Sequence, residues 1–339
     1  MASAAGARLA ELIAGVQRLA LVGLAKNTGK TETLATILAE HAAAGVAVGV
    51  TSIGRDGEER DVIDARIAKP RVHLREGSLV ASTGELVSAS GLAHERLART
   101  GVRTSLGEVV IARLAEPGAI EIAGPSAASD VRAVSEAMRE LGAEQVLIDG
   151  AIDRRAASSP AVAEALVVAT GAVLARELEN VVAATAQAVD VIRLPRSQAA
   201  RDGGDERVVA VGRELVLRGE PPQVAALLRA HPQASTLRIQ GALGEGFLEA
   251  LLAARRERAG RELEVVIADP TRAFLTRRGP RWYARAGLSL TVLETIDLRA
   301  ITVNPVAPMS HDFDSRELRE RIAQAVGDDV PVIDVREPA

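Results

Sequence analysis

The sequence contains no cysteine, so disulfides, iron–sulfur clusters and thiolate zinc sites are excluded. Aromatic residues are almost as scarce: three Phe, one Tyr and one Trp leave little for stacking against nucleic-acid bases. The five histidines are scattered, without the spacing that would place two metal ligands on one helix face. We therefore expect no histidine-based metal site, and the formal net charge of −4 adds to the argument against nucleic-acid binding.

Long apolar runs are also missing. No segment approaches the roughly 20 consecutive apolar residues of a membrane span, and the N-terminus lacks the basic-then-apolar pattern of an export signal. We therefore expect a cytoplasmic protein that does not insert into a membrane. The composition, 47% hydrophobic and 25% charged, is typical of a globular protein, and 339 residues suffice for two domains or one elaborated domain.

What the sequence does contain is an irregular phosphate-loop motif, GLAKNTGKTETL, at residues 23–34. In the usual pattern, G-x-x-x-x-G-K-[ST], backbone N–H groups wrap the phosphates, the lysine reaches the outer phosphates and the hydroxyl ligates Mg²⁺. Leu24 stands at the first glycine position, and Gly23 lies one residue early. An apolar run of strand length precedes the motif and a helical pattern follows it, which is the context that the motif requires. The predicted nucleotide-binding residues are Lys26, Asn27, Thr28, Gly29, Lys30 and Thr31. The alternative is a helix capped by Thr28 without a ligand.

Two aspartates follow apolar strands and are candidates for Mg²⁺ binding and catalysis beside Lys30 and Thr31. Asp149 ends the strand-like stretch EQVLIDG, where P-loop ATPases hold Mg²⁺ directly or through water. Asp56 lies in a glycine-flanked loop after the second strand, at the edge where open parallel sheets bind ligands. Each could instead be a simple turn or cap residue.

The chain as a whole is predicted to be α/β, with a P-loop NTPase-type, mostly parallel sheet. Residues 18–54 form a β-loop-α-β unit, which requires a right-handed crossover into a parallel sheet. Residues 70–87 and 107–125 alternate and turn at glycines, which predicts an inserted β-hairpin region. The polar stretch 195–206 is the best boundary, so we expect a nucleotide-binding domain at 1–195 and a C-terminal α/β domain at 207–339.

In their order along the chain, GLAKNTGKTETL, TSIGRDGE, LIDGAIDRRAASSP and VNPVAPMSHDFD resemble the P-loop subunit of the lysine 5,6-aminomutase reactivase, the KamB family. The resemblance implies an ATP- and Mg²⁺-dependent factor that helps an adenosylcobalamin-dependent aminomutase exchange damaged cobalamin, together with a MutS-like partner subunit. It points to Lys30 and Thr31, and more weakly to Asp56 and Asp149. No guanine-specific NKxD motif is visible, which favours ATP over GTP.

The displaced glycine also resembles the deviant loops of the MinD and dethiobiotin synthetase class, many of whose members are dimers. This leaves a homodimer open here. In that class a loop lysine serves the neighbouring subunit, but Lys26 lies one residue too close to Lys30, so it could equally be solvated. An asparagine late in the chain often contacts adenine in that class, which makes Asn304 a candidate base contact, with a tight turn as the alternative.

Two other functions remain open at this point. One is a small-molecule ligase or kinase of the dethiobiotin synthetase kind, for which Arg55, Lys69 or Arg71 could anchor the substrate. The other is a nucleotide-binding partner that no longer hydrolyses its ligand.

Overall fold

The computed structural model of the chain describes residues 4–54, 71–151, 158–198, 208–211, 214–217, 228, 233–256, 262–308 and 310–336. Its α-helices are α1 (Ala4–Ile13), α2 (Lys30–Ala44), α3 (Gly84–Ala89), α4 (Ala128–Glu140), α5 (Leu178–Ile192), α6 (Glu245–Arg256), α7 (Pro280–Arg285) and α8 (Ser315–Val326). Two short 3₁₀ helices cover Ala172–Leu174 and Pro270–Arg272. Within the described residues, no helix combines the length and the apolar character that crossing a membrane requires.

The strands in the first half of the chain are β1 (Arg18–Gly23), β2 (Val48–Ser52), β3 (Val72–Leu74), β4 (Leu79–Thr83), β5 (His94–Thr104), β6 (Gly107–Leu114), β7 (Gly118–Ile120), β8 (Gln145–Ala151) and β9 (Ala165–Gly171). Those in the second half are β10 (Val208–Val211), β11 (Glu214–Leu217), β12 (Thr236–Ile239), β13 (Leu243–Gly244), β14 (Leu263–Ile267), β15 (Ala273–Phe274), β16 (Leu288–Val292), β17 (Asp297–Asn304), β18 (Val306–Ala307), β19 (His311–Asp312) and β20 (Val332–Ile333).

These elements form two compact units, Met1–Thr185 with Asp297–Ala339, and Ala186–Ile296. The first contains a nine-stranded sheet in the order β20-β17-β9-β1-β8-β2-β4-β6-β5. The strands from β20 to β4 run parallel, whereas β6 and β5 are antiparallel additions at one edge. The α/β class with a mostly parallel sheet is therefore confirmed. The strands in the predicted stretches 70–87 and 107–125 pair across the two stretches, β3 with β7 and β4 with β6, whereas the hairpin is formed by β6 with β5, which was not predicted.

Burial explains why the central strands read as continuous apolar runs. Every residue of β9 and β2 is buried, as are the last five of β1, because helices cover both faces of a parallel sheet. At the antiparallel edge, β5 alternates between half-buried and exposed residues. The hairpin-like stretch predicted at 70–87 is interrupted here, since residues from Gly84 onward form α3.

The two units do not coincide with the predicted domains 1–195 and 207–339. The segment after residue 296 returns to the first sheet, where β17 pairs with β9 on one side and β20 on the other. The physical reason is burial: the last five residues of β17 are buried, and a strand buried in this way needs a neighbour on both sides. The polar stretch 195–206 marks a change in the sequence, but it contains no information on which strands pair.

The second unit has its own five-stranded sheet, in the order β10-β11-β12-β14-β16. Strands β11, β12, β14 and β16 are parallel, and β10 is antiparallel to β11. An apolar core packs on this sheet, with Tyr283 as its largest fully buried side chain. The second half of the chain thus contains a second α/β sheet, as predicted, but its unit ends at Ile296.

A buried carboxylate, Glu245, holds a loop of this unit together. It accepts hydrogen bonds from the backbone N–H groups of Thr276, Arg277 and Arg278 at 3.1, 2.7 and 3.0 Å, and from the Thr276 hydroxyl at 2.9 Å. Burial by itself raises the pKa of Glu245, but the hydrogen bonds from Arg277, Arg278 and Thr276 outweigh it and lower the pKa to about 2. The charged form therefore stabilises the fold.

We expect Glu245→Gln to lower the free energy of unfolding of the second unit by about 1–3 kcal/mol at pH 7, because its amide N–H₂ would face N–H donors. The folded pKa lies below the unfolded one, so the wild-type advantage is complete above about pH 4.5 and declines as the pH falls toward 2. Urea unfolding of the full chain, followed by the fluorescence of the single Trp282, measures it. Glu249→Gln is the matched control, since Glu249 is exposed and pairs with the exposed Arg277 side chain. Equal midpoints for Glu245→Gln and wild type at pH 7 would contradict the assignment.

Candidate functional site

The site lies where β1 ends and α2 begins, at the carboxyl edge of the parallel sheet. Strand β1 ends at Gly23, a short loop covers residues 24–29, and α2 begins at Lys30. In the sheet, β1 lies between β8, which carries Asp149, and β9. The strand on the other side of β9 is β17, which ends at Asn304. Parallel pairing therefore brings three separate parts of the sequence to one edge.

The loop has a backbone conformation that is uncommon for ordinary residues. Asn27 has φ 64° and Gly29 has φ 87°, both in the left-handed region. Asn27 is the only non-glycine residue at positive φ within the part of the chain that the structure describes. Consecutive turns of this kind form concave nests of backbone N–H groups, which favour anions.

Gly23 lies one residue before the position at which the motif expects a glycine, and close packing leaves no room for a side chain there. A Cβ there would lie 2.6 Å from Thr28 Oγ1 and 3.1 Å from the Ala25 carbonyl oxygen. Leu24, at the expected glycine position, instead donates its N–H to the Ala169 carbonyl of β9 at 2.9 Å. The displaced glycine is therefore where the loop turns back on its own strand.

The N-terminus of α2 has no side-chain cap. Gly29 is the N-cap residue, and the Thr28 hydroxyl donates to the Ala25 carbonyl at 3.0 Å instead of accepting from the helix. Within the described residues, the N–H groups of Gly29, Lys30 and Thr31 have no acceptor. Such a helix end carries a partial positive charge and donors that can bind an anion. The alternative of a helix capped by Thr28 does not hold.

Lys30 and Asp149 are in direct contact. Lys30 Nζ lies 2.5 Å from Asp149 Oδ1, with 23% and 30% of the two side chains exposed. Asp149 is held in register opposite Leu21 of β1 and Ser52 of β2, and its carbonyl accepts the Ile53 N–H at 3.0 Å. A cation and a carboxylate, both partly accessible, thus meet beside the loop.

Asn304 contacts the loop through its side chain and is only 4% exposed. Its Nδ2 donates to the Asn27 carbonyl at 2.9 Å, and its Oδ1 accepts the Val306 N–H at 3.2 Å. Both polar ends of the amide therefore have protein partners. The predicted contact with an adenine base would have to be made by the second amide hydrogen and the second oxygen lone pair of a side chain that is almost fully buried.

The remaining predicted residues differ in their placement. Lys26 and Thr31 are exposed on the loop and on the first turn of α2, where a ligand could reach them. Arg71 is also exposed. Asp56, Arg55 and Lys69 lie outside the described residues, so their predicted roles stay predictions.

Sequence reasoning missed an ion pair on α2 beside the loop. Arg336, near the C-terminus, donates to both oxygens of Glu32 at 2.6 and 2.5 Å, and these bonds raise the pKa of Arg336. The Arg336 N–H is bonded in turn to the buried Asp334 at 2.9 Å. The bidentate pair holds the end of the chain on the first turn of α2. No local pattern links residues 304 positions apart, so no sequence signal could have revealed it.

No family model matches the chain, and no curated protein or solved structure matches it. Among the described residues, no three Asp, Glu or His side chains lie together in a way that could hold a metal ion.

We expect Gly23→Ala to lower the free energy of unfolding of the full chain by about 1–3 kcal/mol, because its Cβ overpacks the buried Thr28 side chain. Thr28→Ala removes the nearest atom, so the double variant should lose less than the two single losses combined. Thermal unfolding followed by circular dichroism measures both. Gly84→Ala is the control, since a Cβ there meets only Val110 Cγ1 at 3.8 Å. Strict additivity of the two substitutions would count against this packing.

Proposed function

We propose that the chain binds and hydrolyses ATP at residues 23–31, and that it serves as the ATP-dependent reactivation factor of an adenosylcobalamin-dependent aminomutase. The single observation that carries the nucleotide site is the contact of Lys30 with Asp149 beside an uncapped helix N-terminus. The client and the MutS-like partner subunit are supported by the sequence resemblance.

The loop suits a polyphosphate chemically. The N–H groups of Gly29, Lys30 and Thr31 have no acceptor among the described residues. Together with the partial charge of the α2 N-terminus and the Lys30 ammonium, they favour negative charge. Lys26 adds a second cation on the loop, and these two residues are two of only three lysines in the chain. All other basic side chains, apart from five histidines, are arginines.

The residues present also fit Mg²⁺ in the way that nucleotide sites hold it, through one or two protein ligands together with phosphates and water. Thr31 offers an exposed hydroxyl and Asp149 a partly exposed carboxylate. That mode needs no cluster of three acidic or histidine ligands, and none is found in the part of the chain that the structure describes. Bound there, the cation would neutralise charge on the phosphates during transfer.

In the proposed reaction, the protein's own groups position the phosphates and neutralise their negative charge. Lys30 would leave Asp149 for the outer phosphates, and the freed carboxylate would bind the cation or its water. The backbone N–H groups of the loop would hold the phosphates in place and stabilise the charge that develops on them. Because two ion pairs replace one, neither Lys30 nor Asp149 is left unpaired at any stage.

In the proposed role, ATP changes the exchange of damaged cobalamin by favouring one conformation of the reactivation complex. A ligand can shift such an equilibrium only by its difference in affinity for the two states. Hydrolysis then removes the ligand that favours the first state, which makes the cycle directional. The segment that would sense this change includes Asn304 and Arg336, which contact the loop and α2 directly.

Lys30→Ala should weaken ATP binding about 10- to 100-fold and abolish turnover, as expected for the loss of a charged hydrogen bond worth about 1.5–3 kcal/mol. Isothermal titration calorimetry with Mg²⁺ measures the affinity. Arg316→Ala, which removes an exposed cation on α8, is the control. Amine acylation followed by mass spectrometry provides an independent test, because ATP should protect Lys30 among the three lysines. Wild-type affinity in Lys30→Ala, or unprotected Lys30 at saturating ATP, would exclude this site.

We expect the ATPase rate to rise when the MutS-like partner and a cobalamin-inactivated aminomutase are added, and mutase activity to return with it. Lys30→Ala should remove both effects, while Arg316→Ala should keep them. The two readouts, phosphate release and mutase turnover, are measured in the same mixture.

Other results would point to the other functions. Phosphoryl transfer to a small carboxylic or amino acid without any partner would replace the reactivation role by a ligase or kinase. ATP binding without turnover, alone and with the partners, would identify a nucleotide-binding subunit that does not hydrolyse its ligand.

A further inference from the structure

Asn304 lies far from the loop in sequence, and its side chain is bonded to it. It is the last residue of β17, and its Nδ2 donates to the Asn27 carbonyl at 2.9 Å. Two glycines allow this approach. A Cβ at Gly29 would lie 3.1 Å from Asn304 Cβ, and one at Gly171 would lie 2.2 Å from the Asn304 carbonyl oxygen. The asparagine is thus enclosed between the loop and the end of β9.

Asn304 contacts Asn27, whose backbone has an unfavourable conformation that other contacts must stabilise. Asn27 has φ 64°, a conformation that is unfavourable for residues with a Cβ, although asparagine tolerates it better than most. Asn27 is exposed, so burial of its own side chain does not hold it there. The hydrogen bond from Asn304 to its carbonyl does.

The same geometry argues against recognition of a base by Asn304. Asn304 already uses one amide hydrogen on the Asn27 carbonyl and one lone pair of its oxygen on the Val306 N–H, and a base that displaced either partner would break that bond. Asn304 is 4% exposed, and a polar group left unpaired in such an environment is costly. Each end of the amide thus already makes one hydrogen bond within the protein, and the low exposure of Asn304 leaves little access for a base.

We propose that Asn304 is a positioning residue: it holds Asn27, and with it the phosphate loop, in the left-handed conformation that the anion requires, and it does not select the base. This inference rests on the proposed nucleotide site. It predicts that Asn304 contributes equally to the binding of any ligand with a triphosphate, whatever else the ligand contains.

The test compares ATP with inorganic tripolyphosphate, which has no base, in the presence of Mg²⁺. Asn304→Ala should lower the affinity for both ligands by the same factor, about 5- to 10-fold, since one hydrogen bond to the loop is lost. Asn180→Ala, which truncates an exposed asparagine at the start of α5, should leave both affinities unchanged. Weaker ATP binding with unchanged tripolyphosphate binding would overturn the proposal and make Asn304 a base contact.

A second measurement needs no ligand. Amide hydrogen exchange of the peptide that covers residues 24–31 should be faster in Asn304→Ala and also in Asn304→Asp. The aspartate keeps an acceptor for the Val306 N–H but has no donor for Asn27. Unchanged exchange in both variants would overturn the proposal, as would unchanged affinity for both ligands. If wild-type protein bound neither ligand, the proposed function would fail, whereas the exchange comparison would still decide whether Asn304 holds the loop.

Discussion

The parallel pairing of β1 between β8 and β9 is the constraint on which the rest of the site depends. It sets the register in which Leu21 lies opposite Asp149, so that the carboxylate emerges beside the loop that follows β1. It also places the Ala169 carbonyl of β9 where it accepts the Leu24 N–H, which holds the first residue of the loop. A shift of the β1–β8 pairing by one residue would turn Asp149 to the other face of the sheet relative to β1. The contact between Lys30 and Asp149 is therefore a consequence of sheet register.

The second constraint is the return of the chain to this sheet after residue 296. Strand β17 and the residues after it contact the loop and α2 at three places. Asn304 bonds to Asn27, the Thr302 and Thr33 hydroxyls are bonded at 2.8 Å, and Arg336 pairs with Glu32. The loop is consequently supported from both sequence ends of the first unit. Removal of the residues from Asn304 to Arg336 would therefore remove hydrogen bonds that support the loop and α2.

The sequence predicts the local parts of this arrangement well and the distant parts poorly. The strand, the loop and the helix at residues 18–44 follow from apolar spacing and the GKT tripeptide, and Asp149 follows from its place at the end of an apolar strand. The displaced Gly23 looked like a defect in the motif, but packing against Thr28 explains it. By contrast, the partners of β17, the extent of the second unit and the pair of Glu32 with Arg336 depend on contacts between residues far apart in sequence. Periodicity and turn residues contain no information on such contacts.

The strength of the contact between Lys30 and Asp149 decides whether it suits a site that must exchange ligands. A fully buried pair would resist separation, since removing one partner leaves an uncompensated charge that costs about 3–5 kcal/mol. With 23% and 30% of the side chains exposed, this pair lies closer to the surface pairs, which contribute about 0.2–1 kcal/mol. A triphosphate with several negative charges would interact more favourably with Lys30 than Asp149 does. A divalent cation would likewise interact more favourably with Asp149 than Lys30 does. The pair can therefore keep both side chains in place without competing strongly with the proposed ligands.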